Sequence, residues 1–213
     1  MTDKAMQSGV SLSDSRRILR AAAEFLFLAG LSALPAASVA VDIRVLRDHV
    51  GETSLTEISQ AALLLGAVTL CWFRAAQQPA VRGFALLAGG LFACMLIREL
   101  DGWLDSLWHG FWSWPALFTA AATIGVVALR CRDTVWPPMA AFIGTRAFYH
   151  ISFGLLTLLV FSRIFGSGRL WAELMGTDYG RLFKASLQEG LELYGYVFLS
   201  YGTFWFLRPP PGK

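Results

Sequence analysis

Long apolar runs joined by short polar segments set the pattern of this chain. A helix that crosses hydrocarbon needs about 20 mostly apolar residues, and such stretches occupy residues 21–41, 57–78, 81–100, 111–130, 138–163 and 182–207. Their number predicts an all-α, polytopic membrane protein: a bundle of six transmembrane helices with short loops. Residues 1–20 and 208–213 are left as short polar ends, and no room remains for a separate soluble domain. Ser15-Arg16-Arg17-Ile18-Leu19 has the form of a twin-arginine signal and Ser38-Val39-Ala40 that of a cleavage site, but the first segment is expected to be an uncleaved helix.

Orientation follows from basic residues, which are retained on the cytoplasmic side. With the N-terminus inside, Lys4, Arg16, Arg17, Arg20, Arg74, Arg82, Arg130, Arg132, Arg208 and Lys213 are cytoplasmic, and fewer Lys and Arg lie opposite. The reading is therefore an inner (plasma) membrane protein with both termini cytoplasmic. Tryptophans fall at the expected interfaces, Trp103, Trp108, Trp112, Trp114 and Trp171 outside and Trp72, Trp136 and Trp205 inside.

Composition agrees with the pattern. Of 213 residues, 55% are hydrophobic and 15% charged, a departure from soluble composition in the membrane direction. The net charge of +3 is small and dispersed, which excludes a nucleic-acid partner, since that needs a concentrated basic face. Cys71, Cys94 and Cys131 have no CxxC spacing, so neither a disulfide framework nor a thiolate zinc site is indicated.

The carboxylates change the picture more. Of the 15 acidic residues, Asp42, Asp48, Glu52, Glu57, Glu99, Asp101, Asp105, Glu173, Asp178, Glu189 and Glu192 fall on or near the outer side. Ionisable groups in or beside hydrocarbon must be paired, metal-bound or facing water. Asp42, Asp48, Glu52, Glu173 and Asp178 read as loop charges. Ser54-Leu55-Thr56-Glu57 has the capping-box form, and Gln60 carries that polar face one turn inward. Glu24, on the inner side, is expected to pair with Arg20 four residues earlier.

Three helices carry candidate chemistry. On the sixth, Glu189, Glu192, Tyr196, Ser200 and Thr203 share a narrow sector at 100° per residue, a polar stripe through a spanning segment. On the fifth, Arg146, Tyr149, His150 and Thr157 share a side, with His150 expected near mid-bilayer. At the end of the third, Arg98, Asp101, Asp105 and His109 share a face if the helix continues past Gly102, leaving Glu99 opposite. The competing reading there is an ion pair of Arg98 with Asp101 or Asp105.

Together, Glu57, Glu99, Asp105, His109, His150, Glu189 and Glu192 form the expected metal-ligand set. Carboxylate and imidazole ligands suit Fe, Mn or Zn. Tyr196 is expected to assist proton transfer, and Arg98 or Arg146 to orient an anionic group. Haem is not expected, because only His150 lies deep. The leading expectation is a metal-dependent membrane enzyme, hydrolytic or oxidative, acting from the outer side on a lipid or other amphipathic substrate. Two alternatives stand beside it. One is a proton or ion pathway, or a small channel-forming homo-oligomer. The other is a structural or accessory subunit of a membrane complex.

Overall fold

A computed structural model describes residues 12–46 and 54–207. Among these residues there is no strand, and ten α-helices follow one another: α1 (Leu12–Val41), α2 (Leu55–Gln77), α3 (Arg82–Glu99), α4 (Asp101–Leu104), α5 (Ser113–Arg130), α6 (Trp136–Ile143), α7 (Arg146–Leu156), α8 (Ser162–Phe165), α9 (Gly168–Met175) and α10 (Arg181–Leu207). The sequence-assigned loop charges Asp48 and Glu52 and the tail 208–213 lie outside the described residues.

Five segments are long and apolar enough to cross a membrane: Asp14–Leu46, Leu55–Gln77, Pro79–Glu99, Ser113–Arg130 and Arg146–Phe165. The sixth expected span, α10, has the length, at 27 residues, but not the apolarity, because Glu189, Glu192, three tyrosines and several glycines dilute it. Its position explains the composition. α10 packs against α1, α2, α7 and α8, so protein surrounds it on most sides. Leu193, Tyr196, Val197, Phe198 and Leu199 are buried along it. α3 packs on α2, and α5 packs on α3 at the edge.

The fifth expected helix is two helices. α6 ends at Ile143, Gly144 caps it, and the Thr145 hydroxyl accepts from the Phe148 amide to start α7. A Ser or Thr before an apolar run is a helix start signal, and here it moves the long apolar segment to Arg146–Phe165. α7 then runs through a π turn, Thr157–Phe161, into α8. A π turn adds a residue to one helical turn, which rotates the following side chains and brings Ser162 and Arg163 toward α10.

α7 and α10 touch backbone to backbone. A Cβ on Gly154 would lie 2.6 Å from the Gly195 carbonyl oxygen and 2.8 Å from the Leu199 amide nitrogen. On Gly195 it would lie 2.9 Å from the Gly154 carbonyl oxygen. Small residues permit this approach, as they do where helices meet in membranes.

Asp42 is a correction to its reading as a loop charge: it is fully buried. Its carboxylate accepts from the Leu55 amide at 2.8 Å, from the Thr56 amide at 3.0 Å and from the Thr56 hydroxyl. These are the orphan amides at the start of α2, and the carboxylate also sits at the positive end of that helix. Asp42 thus ties the end of α1 to the start of α2.

Two expectations follow. Replacing Asp42 with Ala leaves the Leu55 and Thr56 amides without acceptors and lowers stability by about 2 kcal/mol, whereas replacing exposed Glu173 with Ala changes it by no more than about 0.5 kcal/mol; denaturation midpoints of the purified protein check both. A Gly195→Leu substitution forces α7 from α10, so a cysteine pair placed at Leu155 and Leu199 crosslinks in the parent background and loses crosslinking in the variant.

Candidate carboxylate site

Glu99 ends α3, and Glu189 and Glu192 lie in the first half of α10. Packing α2 between α3 and α10 brings the three together: one carboxylate oxygen from each lies within 4.8 Å of the other two. Among the described residues this is the group of three or more potential ligands close enough to share an ion. Glu192 is buried and the other two are half-buried.

Each carboxylate has its own donor. The Tyr196 hydroxyl donates to Glu99 Oε2 at 2.7 Å. Gln60 Nε2 donates to Glu189 Oε2 and to the Glu189 carbonyl, both at 3.1 Å. Gln188 Nε2 donates to Glu192 Oε1 at 3.0 Å, and Ser162 Oγ lies 3.4 Å from the same oxygen. Two guanidiniums border the group: Arg163 Nη2 is 3.4 Å from Glu192, and Arg98 Nη1 is 3.9 Å from Glu99. Gln60 is fully buried, yet its Oε1 has no partner. A buried acceptor without a partner calls for an explanation.

The structure therefore brings together part of the expected set: Glu99, Glu189 and Glu192, with Tyr196 and Arg98 against Glu99. The rest is elsewhere. His150 is a correction. Because α7 begins at Arg146, His150 lies about one turn from its N-terminal end, packed edge-on against Tyr201 at 4.8 Å between ring centroids and against Phe198. Tyr201 is nine residues beyond Glu192, about 14 Å along the helix axis, so the imidazole serves the opposite end of the bundle. Arg146 is there too, its Nη1 donating to both oxygens of Glu24 at 2.9 Å, and its guanidinium over the Trp205 ring at 5.5 Å. The partner of Glu24 is thus Arg146 rather than Arg20, because α7 and α10 present Arg146 and Trp205 to α1.

Asp105 and His109 are also separate. α3 ends at Glu99, and α4 is a single turn, so the long helical face expected past Gly102 does not form. The Asp105 carboxylate instead accepts from the Gly110 amide at 3.0 Å, and His109 Nδ1 lies 3.5 Å from it with its side chain fully exposed. The helix break also turns Arg98 toward Glu99 instead of Asp101 or Asp105. Glu57 stands in the first turn of α2, where its amide donates to the Ser54 hydroxyl at 3.2 Å, one half of the expected capping box.

Ser162, Arg163 and Gln188 were not anticipated. Gln188 could have been found, since it precedes Glu192 by one helical turn. Ser162 and Arg163 face α10 only because of the π turn, which has no sequence signature. Comparison of the chain with protein-family models, with curated proteins and with solved structures gives no match.

Replacing Tyr196 with Phe removes the donor to Glu99 in a buried setting and costs about 1–2 kcal/mol of stability. The same loss is not expected of His150→Phe, which keeps the ring packing against Tyr201. Unfolding of the two variants under identical conditions measures the contrast.

Proposed function

We propose that this protein is an integral membrane protein in which α10 is the sixth crossing, and that Glu99, Glu189 and Glu192 bind a divalent cation that serves a metal-dependent enzyme. The observation that carries this reading is the convergence of three carboxylate oxygens within 4.8 Å, at one end of the bundle. Three like charges so close repel strongly in a poorly solvated setting. With all three ionised, Arg98 and Arg163 offset two of the charges, which leaves one for a cation to compensate. The buried Gln60 amide, whose Nε2 donates to Glu189, adds a neutral polar group beside the carboxylates.

The donor set narrows the ion. With both described histidines elsewhere, all the side-chain ligands are oxygens, and such sets suit manganese, magnesium or calcium over zinc. When bound, the ion supplies Lewis-acid polarisation or an activated water. Around it the chain positions the ligands: Gln60 and Gln188 orient Glu189 and Glu192, and Tyr196 holds Glu99 by its hydroxyl proton. The excess of Lys and Arg on the opposite side supports an orientation with this end of the bundle outside the cytoplasm.

A site open to one side is favoured over a transmembrane proton path by the remainder of the α10 stripe. Ser200 donates to the Leu63 carbonyl and Thr203 to the Leu199 carbonyl. Below Tyr196 the Ser200 and Thr203 hydroxyl protons are engaged by backbone, and no carboxylate continues the line along α10.

Electron paramagnetic resonance of Mn²⁺ titrated into the purified protein tests the reading. One ion per chain is expected, with affinity reduced at least tenfold in Glu192→Gln and Glu189→Gln and unchanged in His150→Phe. Absence of stoichiometric binding to the parent protein would overturn it.

A further inference from the structure

We infer that the site takes a phosphate-bearing molecule, held by Arg98 and Arg163 together with the bound cation; this deepens the metal reading above and rests on it. The geometry begins with the two guanidiniums. They come from different helices, α3 and α8, yet approach two carboxylates of the same cluster, Glu99 and Glu192. Each makes one long ion pair among the described residues, at 3.9 and 3.4 Å, although a guanidinium carries five N–H donors. Their side chains are 41% and 49% exposed while the paired carboxylates are 7% and 4% exposed. The arginines thus border buried carboxylates while keeping exposed side-chain surface, with N–H donors left for a further acceptor.

Charge decides what those donors accept. With all three carboxylates ionised against two guanidiniums, the metal-free site carries one negative charge and repels an anion. A divalent cation changes the sum to one positive charge, which an anionic group neutralises. Phosphate suits this combination because its oxygens can ligate a hard cation and accept paired guanidinium N–H bonds at once. Arg163 therefore takes the anion-binding role expected of Arg146, which the Glu24 ion pair holds at the other end of the bundle.

An apolar groove of about 670 Å³ between α1, α2 and α10 supplies room for the rest of an amphiphile. Its walls include Ser59, Leu63, Leu193 and Val197, and Ser59 and Leu193 adjoin Gln60 and Glu192 in the chain. The groove walls include neither arginine nor any of the three carboxylates, and the titration distinguishes a lipid headgroup from free phosphate.

The test is calorimetric titration of the full chain in detergent with short-chain phosphatidic acid and, separately, inorganic phosphate, each with Mn²⁺ or with EDTA. Binding with Mn²⁺ and its loss with EDTA is the expected result. Arg98→Gln and Arg163→Gln should each weaken it at least tenfold while Mn²⁺ binding, read by paramagnetic resonance, is retained, and Arg163→Lys should recover part of the loss. Tighter binding of phosphatidic acid than of inorganic phosphate identifies a lipid headgroup, and equal binding identifies free phosphate; both support the inference. Mn²⁺ binding without a phosphate effect, or phosphate binding indifferent to Mn²⁺ and to both arginines, overturns it alone. No Mn²⁺ binding overturns this inference and the metal reading together.

Discussion

The polar stripe of α10 cannot be left to an apolar surrounding, and the bundle is arranged so that other helices meet it. α2 sends the Gln60 amide to Glu189 and receives the Ser200 hydroxyl on its Leu63 carbonyl. α3 presents Glu99 to Tyr196, and α8 presents Ser162 and Arg163 to Glu192. In a protein interior without water every such group needs a partner within the chain. That requirement sets which helices surround α10 and at what height, and the carboxylate site is its consequence at one end.

The glycine contact between α7 and α10 makes the arrangement geometrically possible. With Gly154 and Gly195 the two backbones meet directly, and the π turn after α7 then carries Ser162 and Arg163 to Glu192. At the other end the same pair of helices offers Arg146 and Trp205 to Glu24. α1 is therefore anchored twice: by the Arg146 ion pair, and through Asp42 to the start of α2. Between those anchors lies the apolar groove. A helix fixed at its ends and loosely packed between them leaves lateral openings of this kind.

Much of the fold was legible, because long apolar runs and the spacing of polar positions depend on helix geometry alone. The limits of α2, α3 and α5 fall within about two residues of those read from the chain, the ordinary scatter of helix ends. The fifth helix was misread where a short local signal, Gly144-Thr145, interrupted a run whose hydropathy continues. That break displaced His150 from mid-depth and removed it from the site. Asp42 was misread for a different reason: its role depends on residues 13 and 14 positions away, a relation that no helical periodicity describes.

By itself, then, the chain determined that it is helical, where most apolar helices run, and that Glu189, Glu192 and Tyr196 share a face, since each of these follows from periodicity within one segment. Only the tertiary structure decided that Glu99 joins them while Asp105, His109 and His150 do not, and that Arg163 rather than Arg146 stands beside them. Those outcomes depend on the close approach of α7 to α10, on the π turn, and on the end of α3 at Glu99. Each is a relation between helices or a change in helical register, and a one-dimensional pattern within a single helix contains neither.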